Sequence, residues 1–131
     1  MQNYVLGIAF DNLCGKLLLL NKDGIRGEKC GNESFKEALE RVSQDQLNLD
    51  LDWHYAGMTK GNRSDGYYNE AIFFAFDDEI LKVKNENATL SFAPRFVEEE
   101  VMDKKLWYLI PFGMMFKEDK SSFMHLEFFS I

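Results

Sequence analysis

Two short apolar runs open the chain, with a polar segment between them. The first, Tyr4 to Phe10, reads YVLGIAF, and the second, Lys16 to Leu20, reads KLLLL. Runs of this length that are rich in aliphatic, aromatic and β-branched residues are typical of buried strands, and the intervening DNLCG has the polar and glycine content of a turn. The pattern predicts a β-hairpin at the start of the chain.

A polar segment follows, and after it the apolar residues recur with a helical period. The segment NKDGIRGEKCGN has three glycines in twelve residues, which predicts a loop. Beyond it, apolar residues recur at the spacing of one helical face, and Asn32 or Ser34 is suited to capping the first turn. The predicted helix continues to about Leu47. Its buried face is formed by Phe35, Ala38, Leu39 and Val42.

Aromatic runs predict a second hairpin in the middle of the chain. Asp50 to Thr59 and Tyr67 to Phe76 are β-prone, and the KGNRSDG segment between them is rich in turn residues. The following segment, Asp77 to Asn87, is polar and acidic. Thr89 to Val97 predicts a short strand that is broken at Pro94.

The last third of the chain predicts a helix and a closing strand. Lys104 to Phe116 is dense in apolar residues, but Pro111 removes a backbone donor and Gly113 weakens the helix, so we expect a kinked helix or two pieces. The tail MHLEFFSI predicts a closing strand. Antiparallel hairpins combined with two helices indicate an α+β fold and not a doubly wound parallel sheet.

Length, charge and cysteine content narrow the class of protein. A chain of 131 residues suits one domain, 1–131, with one compact core. The formal charge of -7 disfavours bulk nucleic acid as a partner, because such binding depends largely on Lys and Arg. Cys14 and Cys30 are isolated and are expected to be free thiols. The absence of a basic N-terminal region and of a long apolar run predicts a soluble, cytoplasmic protein without membrane contact.

The most informative spacing lies in the predicted loop and helix. Gly27, Glu33 and Arg41 are separated by five and seven residues. This spacing resembles the first half of the Nudix box, in which the arginine is followed by a glutamate, a glutamate pair, a glycine and an aliphatic residue. The second half of the motif here reads RVSQDQLNL.

Other segments extend this resemblance along nearly the whole chain. Small Nudix proteins, common in bacterial and phage genomes, have similar segments in the same order and with similar separations. The matching segments are YVLGIAF, KLLLL, LDWHYAGM, AIFFAFDDEI and LWYLIPFGMMF. The resemblance implies a Nudix-like α/β/α sandwich with a mixed, largely antiparallel sheet.

The resemblance also implies a chemistry. Nudix hydrolases cleave a pyrophosphate that is linked to a nucleoside or another group, using Mg²⁺ or Mn²⁺ held by glutamates of the box helix. Such hard cations require several anionic oxygens, which carboxylates at i, i+3 and i+4 on one helix face supply. Here these positions carry Val42, Asp45 and Gln46. One shortened acid is left where the family has three.

The candidate site residues follow from this correspondence. The candidate ligand-binding residues are Gly27, Glu33, Arg41 and Gln46, and the candidate catalytic and metal-binding residues are Glu33 and Asp45. Glu33 has two interpretations: it supports the loop and sometimes the metal, or it is a first-turn acid that favours the helix dipole. Arg41 is expected to pair with Glu33 or Glu37, and Val42 to extend the buried face of the helix.

Positions outside the box differ from the family as well. Arg26 replaces the first of two glycines, and the segment before it is short, which predicts an altered base-binding side. After the AFDD strand, where relatives have TDE, this chain reads NENAT with Glu86 as its only acid. The acids of Glu98 to Glu100 predict a solvated helix start, with a replacement metal source as the alternative. His54 and His125 lie far apart and do not predict a zinc site.

These observations favour a catalytically degraded Nudix-fold protein that binds a nucleotide-type ligand or a protein partner without hydrolysis. Because similar proteins occur in phage genomes, a phage-encoded protein is compatible with this role. The alternative is a divergent, metal-dependent pyrophosphohydrolase of low activity on nucleoside diphosphate derivatives, with Glu33, Asp45 and Glu98 or Glu99 at the ion. A third hypothesis is a structural role, because the high aromatic content leaves room for a homodimer interface. No cofactor is expected, and Mg²⁺ or Mn²⁺ only if the residual site is active.

Overall fold

A computed structural model describes residues 2–92, 105–118 and 126–129 of the chain. This part contains seven strands, two α-helices and a short 3₁₀ helix. The strands are β1 Gln2–Phe10, β2 Lys16–Leu20, β3 Ile25–Glu28, β4 His54–Arg63, β5 Gly66–Phe76, β6 Ala88–Phe92 and β7 Leu126–Phe129. The helices are α1 Phe35–Leu47, the 3₁₀ helix Asp78–Lys82 and α2 Lys105–Glu118.

The described strands form one mixed sheet. Their order is β6-β2-β1-β5-β4-β7, and β3 also pairs with β1. β1 runs parallel to β5, and β4 runs parallel to β7, whereas the other neighbouring pairs are antiparallel. Because β5 occupies one edge of β1 along its whole length, β2 and β3 share the other edge. The predicted mixed, largely antiparallel sheet is confirmed.

Each face of the sheet carries its own core, because alternate residues of a strand point to opposite faces. Leu6, Ile8 and Phe10 of β1 pack on the face that α2 covers, and Val5 and Ala9 pack on the face that α1 covers. The buried residues of α2 are Leu106, Leu109, Ile110 and Phe116, and those of α1 include Ala38, Leu39, Val42 and Leu47. The predicted α/β/α sandwich is confirmed.

Both predicted hairpins are present. β1 and β2 are antiparallel neighbours, and so are β4 and β5. The second hairpin has a tighter turn than the sequence predicts, because β4 continues through Lys60 to Arg63 and only Ser64 and Asp65 connect the strands. Gly66 follows at φ 123°, a backbone conformation that favours glycine.

The loop predicted for NKDGIRGEKCGN is wrong in its middle, because this segment contains β3. Ile25–Glu28 pairs with the first half of β1. Its glycines permit close packing: a Cβ on Gly24 would lie 2.7 Å from Leu6 Cδ1, and a Cβ on Gly27 would clash with Val42 Cγ2. A composition that favours a turn locally is therefore overridden by pairing and close approach in the fold.

The clearest predicted helix is confirmed, and of its two candidate caps Ser34 is the one used. Ser34 Oγ accepts from the Glu37 backbone N–H at 3.0 Å, and Glu37 Oε1 accepts from the Ser34 N–H at 2.9 Å. This reciprocal pair is a capping box. Asn48 ends the helix at φ 53°, a left-handed conformation that asparagine tolerates. The predicted face is buried at Ala38, Leu39 and Val42 and half-buried at Phe35.

α2 is one helix that contains Pro111, so the division into two pieces is wrong. A Cβ on Gly113 would lie 2.6 Å from a ring carbon of Phe10 and 2.8 Å from one of Phe74. Gly113 therefore lets the helix approach the sheet closely, which offsets its low helix propensity. None of the described helices is both long enough and apolar enough to cross a membrane.

The remaining predicted elements are present where they fall on described residues. The acidic segment after β5 contains the 3₁₀ helix, whose cap Asp77 accepts from the Glu79 N–H at 2.9 Å. β6 matches the first part of the strand predicted before Pro94, and β7 matches the closing strand. Residues 93–104, which include Glu98 to Glu100, and residues 119–125, which include His125, lie outside the described residues.

Candidate functional site

Gly27 and Val42 hold β3 and α1 in direct contact. A Cβ at Gly27 would overlap the Val42 side chain, so glycine is required for this approach. Val42 is only 5% exposed and packs in the same core as Ile25 and Leu39. The expectation that Val42 extends the buried face of the helix is confirmed. Gly27 thus has a structural reason to be glycine, and its ligand-binding role stays a prediction.

Arg41 closes the loop between β3 and α1. Its Nη2 donates to Glu33 Oε1 and to the Glu28 carbonyl oxygen, both at 2.8 Å, and its Nε donates to Glu33 Oε2 at 3.2 Å. Glu33 Oε1 also accepts from the Cys30 backbone N–H at 2.7 Å. Both carboxylate oxygens of Glu33 therefore have partners within the protein. Of the two expected partners of Arg41, Glu33 is the one observed, whereas Glu37 belongs to the capping box.

The environment of Glu33 favours its charged form. Hydrogen bonds from Arg41 and from the Cys30 backbone lower the pKa of Glu33 to about 2. The same contact with Glu33 raises the pKa of Arg41. Glu33 precedes the helix cap, and the acid in the first turn is Glu37, so the first-turn interpretation of Glu33 is wrong. With this pKa and these partners, Glu33 anchors the loop and is poorly suited to general-base catalysis near neutral pH.

Asp45 and Gln46 have different surroundings. Asp45 is exposed, and its negative charge contributes to the raised pKa of Arg41. The Gln46 side-chain Nε2 donates to the backbone carbonyl oxygen of Arg26 at 3.4 Å. The backbone carbonyl oxygen of Gln46 accepts from Asn85 Nδ2 at 3.3 Å. Gln46 therefore connects α1 to β3 and to the segment that follows the 3₁₀ helix.

The donors of the box do not fit the divalent ion that the resemblance implies. Mg²⁺ and Mn²⁺ take oxygen ligands, and protein sites for them use carboxylates together with waters and substrate phosphates. Val42 has no donor atom, Gln46 has a neutral amide, and Asp45 is a single carboxylate. Both oxygens of Glu33 are bound by Arg41. Within the described ranges, no group of three or more His, Cys, Asp or Glu side chains is placed to hold a metal ion.

A buried network of charges lies on the α2 side of the sheet, beside β3. Glu70 of β5 is 2% exposed, and its Oε2 accepts from Arg26 Nη1 at 2.6 Å while its Oε1 accepts from Lys105 Nζ at 2.9 Å. Lys105 Nζ also lies 3.2 Å from Thr59 Oγ1, and Arg26 Nε lies 2.8 Å from Asp23 Oδ2. Opposite charges therefore balance across β3, β5 and α2, as burial requires.

A small cavity of about 290 Å³ adjoins this network and is hereafter the Glu70 cavity. Its walls include Tyr4, Arg26, Gly27, Glu28 and Glu70. Arg26, which replaces the glycine expected here, is bound to Glu70 and Asp23. Arg26 and Lys105 balance the charges of Glu70 and Asp23, and Glu28 adds a further negative charge to the wall. The Glu70 cavity is therefore poorly suited to a phosphate group.

Sequence reasoning missed Glu70 and Lys105. Strand periodicity places Glu70 on the same face as Ile72 and Phe74, both fully buried. An acid at a buried strand position needs a cationic partner, and this signal could have revealed Glu70. Lys105 lies 35 residues further along the chain. A pattern within one element cannot identify such a partner.

Comparisons with known proteins identify the fold. No protein-family model matches the chain, and no curated protein matches its sequence. Solved structures do match. A crystal structure of the mutator MutT protein from Bacillus halodurans has a TM-score of 0.66 and 15% identity, covering 85% of this chain and 80% of that one. The solution structure of the E. coli ORF135 protein has a TM-score of 0.54 and 14% identity, covering 72% of this chain and 75% of that one.

Identities of this level establish similarity of fold and nothing further. The chain covers most of both structures, and the matched part includes most of its own length. The chain therefore has a Nudix-like fold.

Proposed function

We propose that this protein binds a nucleotide-type ligand on its Nudix-like fold without hydrolysing it. The proposal rests on the contacts that the box residues make within the protein. Val42 is a core residue, Gln46 is a neutral link to β3, and Glu33 is bound on both oxygens by Arg41. The fold supports a ligand of the nucleotide type, because the Nudix family acts on nucleoside diphosphate derivatives.

The physical reason for the loss of hydrolysis is charge. Water attack on a pyrophosphate phosphorus requires positive charge to neutralise the phosphoryl oxygens and to activate the water. In the family, ions held by several box carboxylates provide this charge. Asp45 is the only acid among the three helix positions here, and it is exposed to solvent. The box therefore lacks the donors from which such a centre is assembled.

Two measurements test this proposal together. Isothermal titration calorimetry with ADP and GDP measures binding, and phosphate release from a panel of pyrophosphate substrates with Mg²⁺ or Mn²⁺ measures turnover. We expect binding without metal-dependent phosphate release. Release that disappears in Glu33→Gln and in Asp45→Asn would contradict the proposal and establish the divergent pyrophosphohydrolase. The double variant Asp45→Glu, Gln46→Glu adds acids at two exposed positions, leaves the buried Val42 in place, and is the matched control for metal binding.

A second candidate is self-association through the outer face of α2. Trp107 is 40% exposed, Met115 is 58% exposed, and Pro111 lies between them on the same stripe. Two antiparallel copies would place Trp107 of one against Met115 of the other, a favourable sulfur–aromatic contact. No charged residue stands between Lys105 and Lys117, so the centre of such a contact would contain no charged side chain.

Light scattering at increasing protein concentration tests this second candidate. We expect a dimer that Trp107→Glu abolishes, because the substitution places a charge in the contact. Lys82→Ala, on the 3₁₀ helix, is the control and should leave the mass unchanged. A wild-type protein that stays monomeric throughout the range contradicts self-association.

A further inference from the structure

We draw no further inference here: the strongest candidate, the Glu70 cavity beside β3, belongs to the charge network already described, in which both carboxylate oxygens of Glu70 are bound by Arg26 and Lys105.

Discussion

Val42→Glu introduces the acid that the Nudix box has at this position and tests whether the helix tolerates it. Val42 is 5% exposed and lies against Gly27. Loss of a buried valine costs about 1.5 kcal/mol. An unpaired carboxylate in the same contact adds about 2–4 kcal/mol of desolvation. We therefore expect the free energy of unfolding to fall by about 3.5–5.5 kcal/mol.

Urea unfolding followed by tryptophan fluorescence measures this loss. The matched control is Val42→Ala, which stays apolar and removes only two methyl groups, for an expected cost of about 1–2 kcal/mol. The difference between the two variants isolates the cost of the carboxylate. If Val42→Glu does not fold, Val42→Ala alone still measures the burial of the valine.

A Val42→Glu protein within about 1 kcal/mol of the wild type would refute the reasoning, because the new carboxylate would then reach water easily. Repeating the measurement with Mn²⁺ sharpens the test. We expect no recovery of stability, since Gln46 remains neutral and Glu33 remains bound to Arg41. A large recovery would show that the ion site needs only one restored acid.

Three further predictions address the loop, the charge network and the thiols. Ionised Glu33 stabilises the fold above its ordinary pKa of 4.5, and this contribution is lost as the pH falls towards its folded pKa of about 2. In thermal unfolding, Glu33→Gln should therefore flatten the dependence of stability on pH in this acid range. If wild type and variant lose stability in parallel as the pH falls, the Arg41 contact is contradicted. Glu70→Gln should cost about 3–5 kcal/mol in urea unfolding, because Lys105 is then buried without its counter-charge, whereas Asp23→Asn should cost less than about 1 kcal/mol. A thiol reagent should modify exposed Cys30 rapidly and buried Cys14 only on unfolding, and equal rates would contradict their burial.

Local patterns predict most of this fold. Short apolar runs indicate β1, β2, β4 and β5, and the helical spacing together with Ser34 indicates α1, because each signal lies within one element. β3 escapes prediction because its stability comes from pairing with β1 and from close packing of Gly27 on Val42. Its local composition, in contrast, is that of a turn.

The same distinction applies to the candidate site. The spacing of Glu33 and Arg41 predicts their contact, since both residues belong to one loop and helix. The partners of Glu70 come from positions 44 residues before it and 35 residues after it in the chain. Such a network depends on the assembled sheet and α2, and no periodicity within a single element specifies it.

The box positions share one structural arrangement, which connects α1 to β3. Arg41 binds Glu33 and the Glu28 carbonyl, Val42 packs on Gly27, and Gln46 donates to the Arg26 carbonyl. Each contact joins α1 to β3 or to the loop between them. Several box carboxylates close together would repel one another unless an ion bound them, whereas a valine and an amide connect the same elements without an ion.

Two kinds of box residue must therefore be considered separately. Glu33 and Arg41 have a structural role within the protein, so their spacing does not by itself indicate hydrolysis. Val42 and Gln46 also make contacts within the fold, and neither has an anionic oxygen to offer a divalent ion. For the proposed absence of hydrolysis, positions 42, 45 and 46 are therefore more informative than the spacing of Gly27, Glu33 and Arg41.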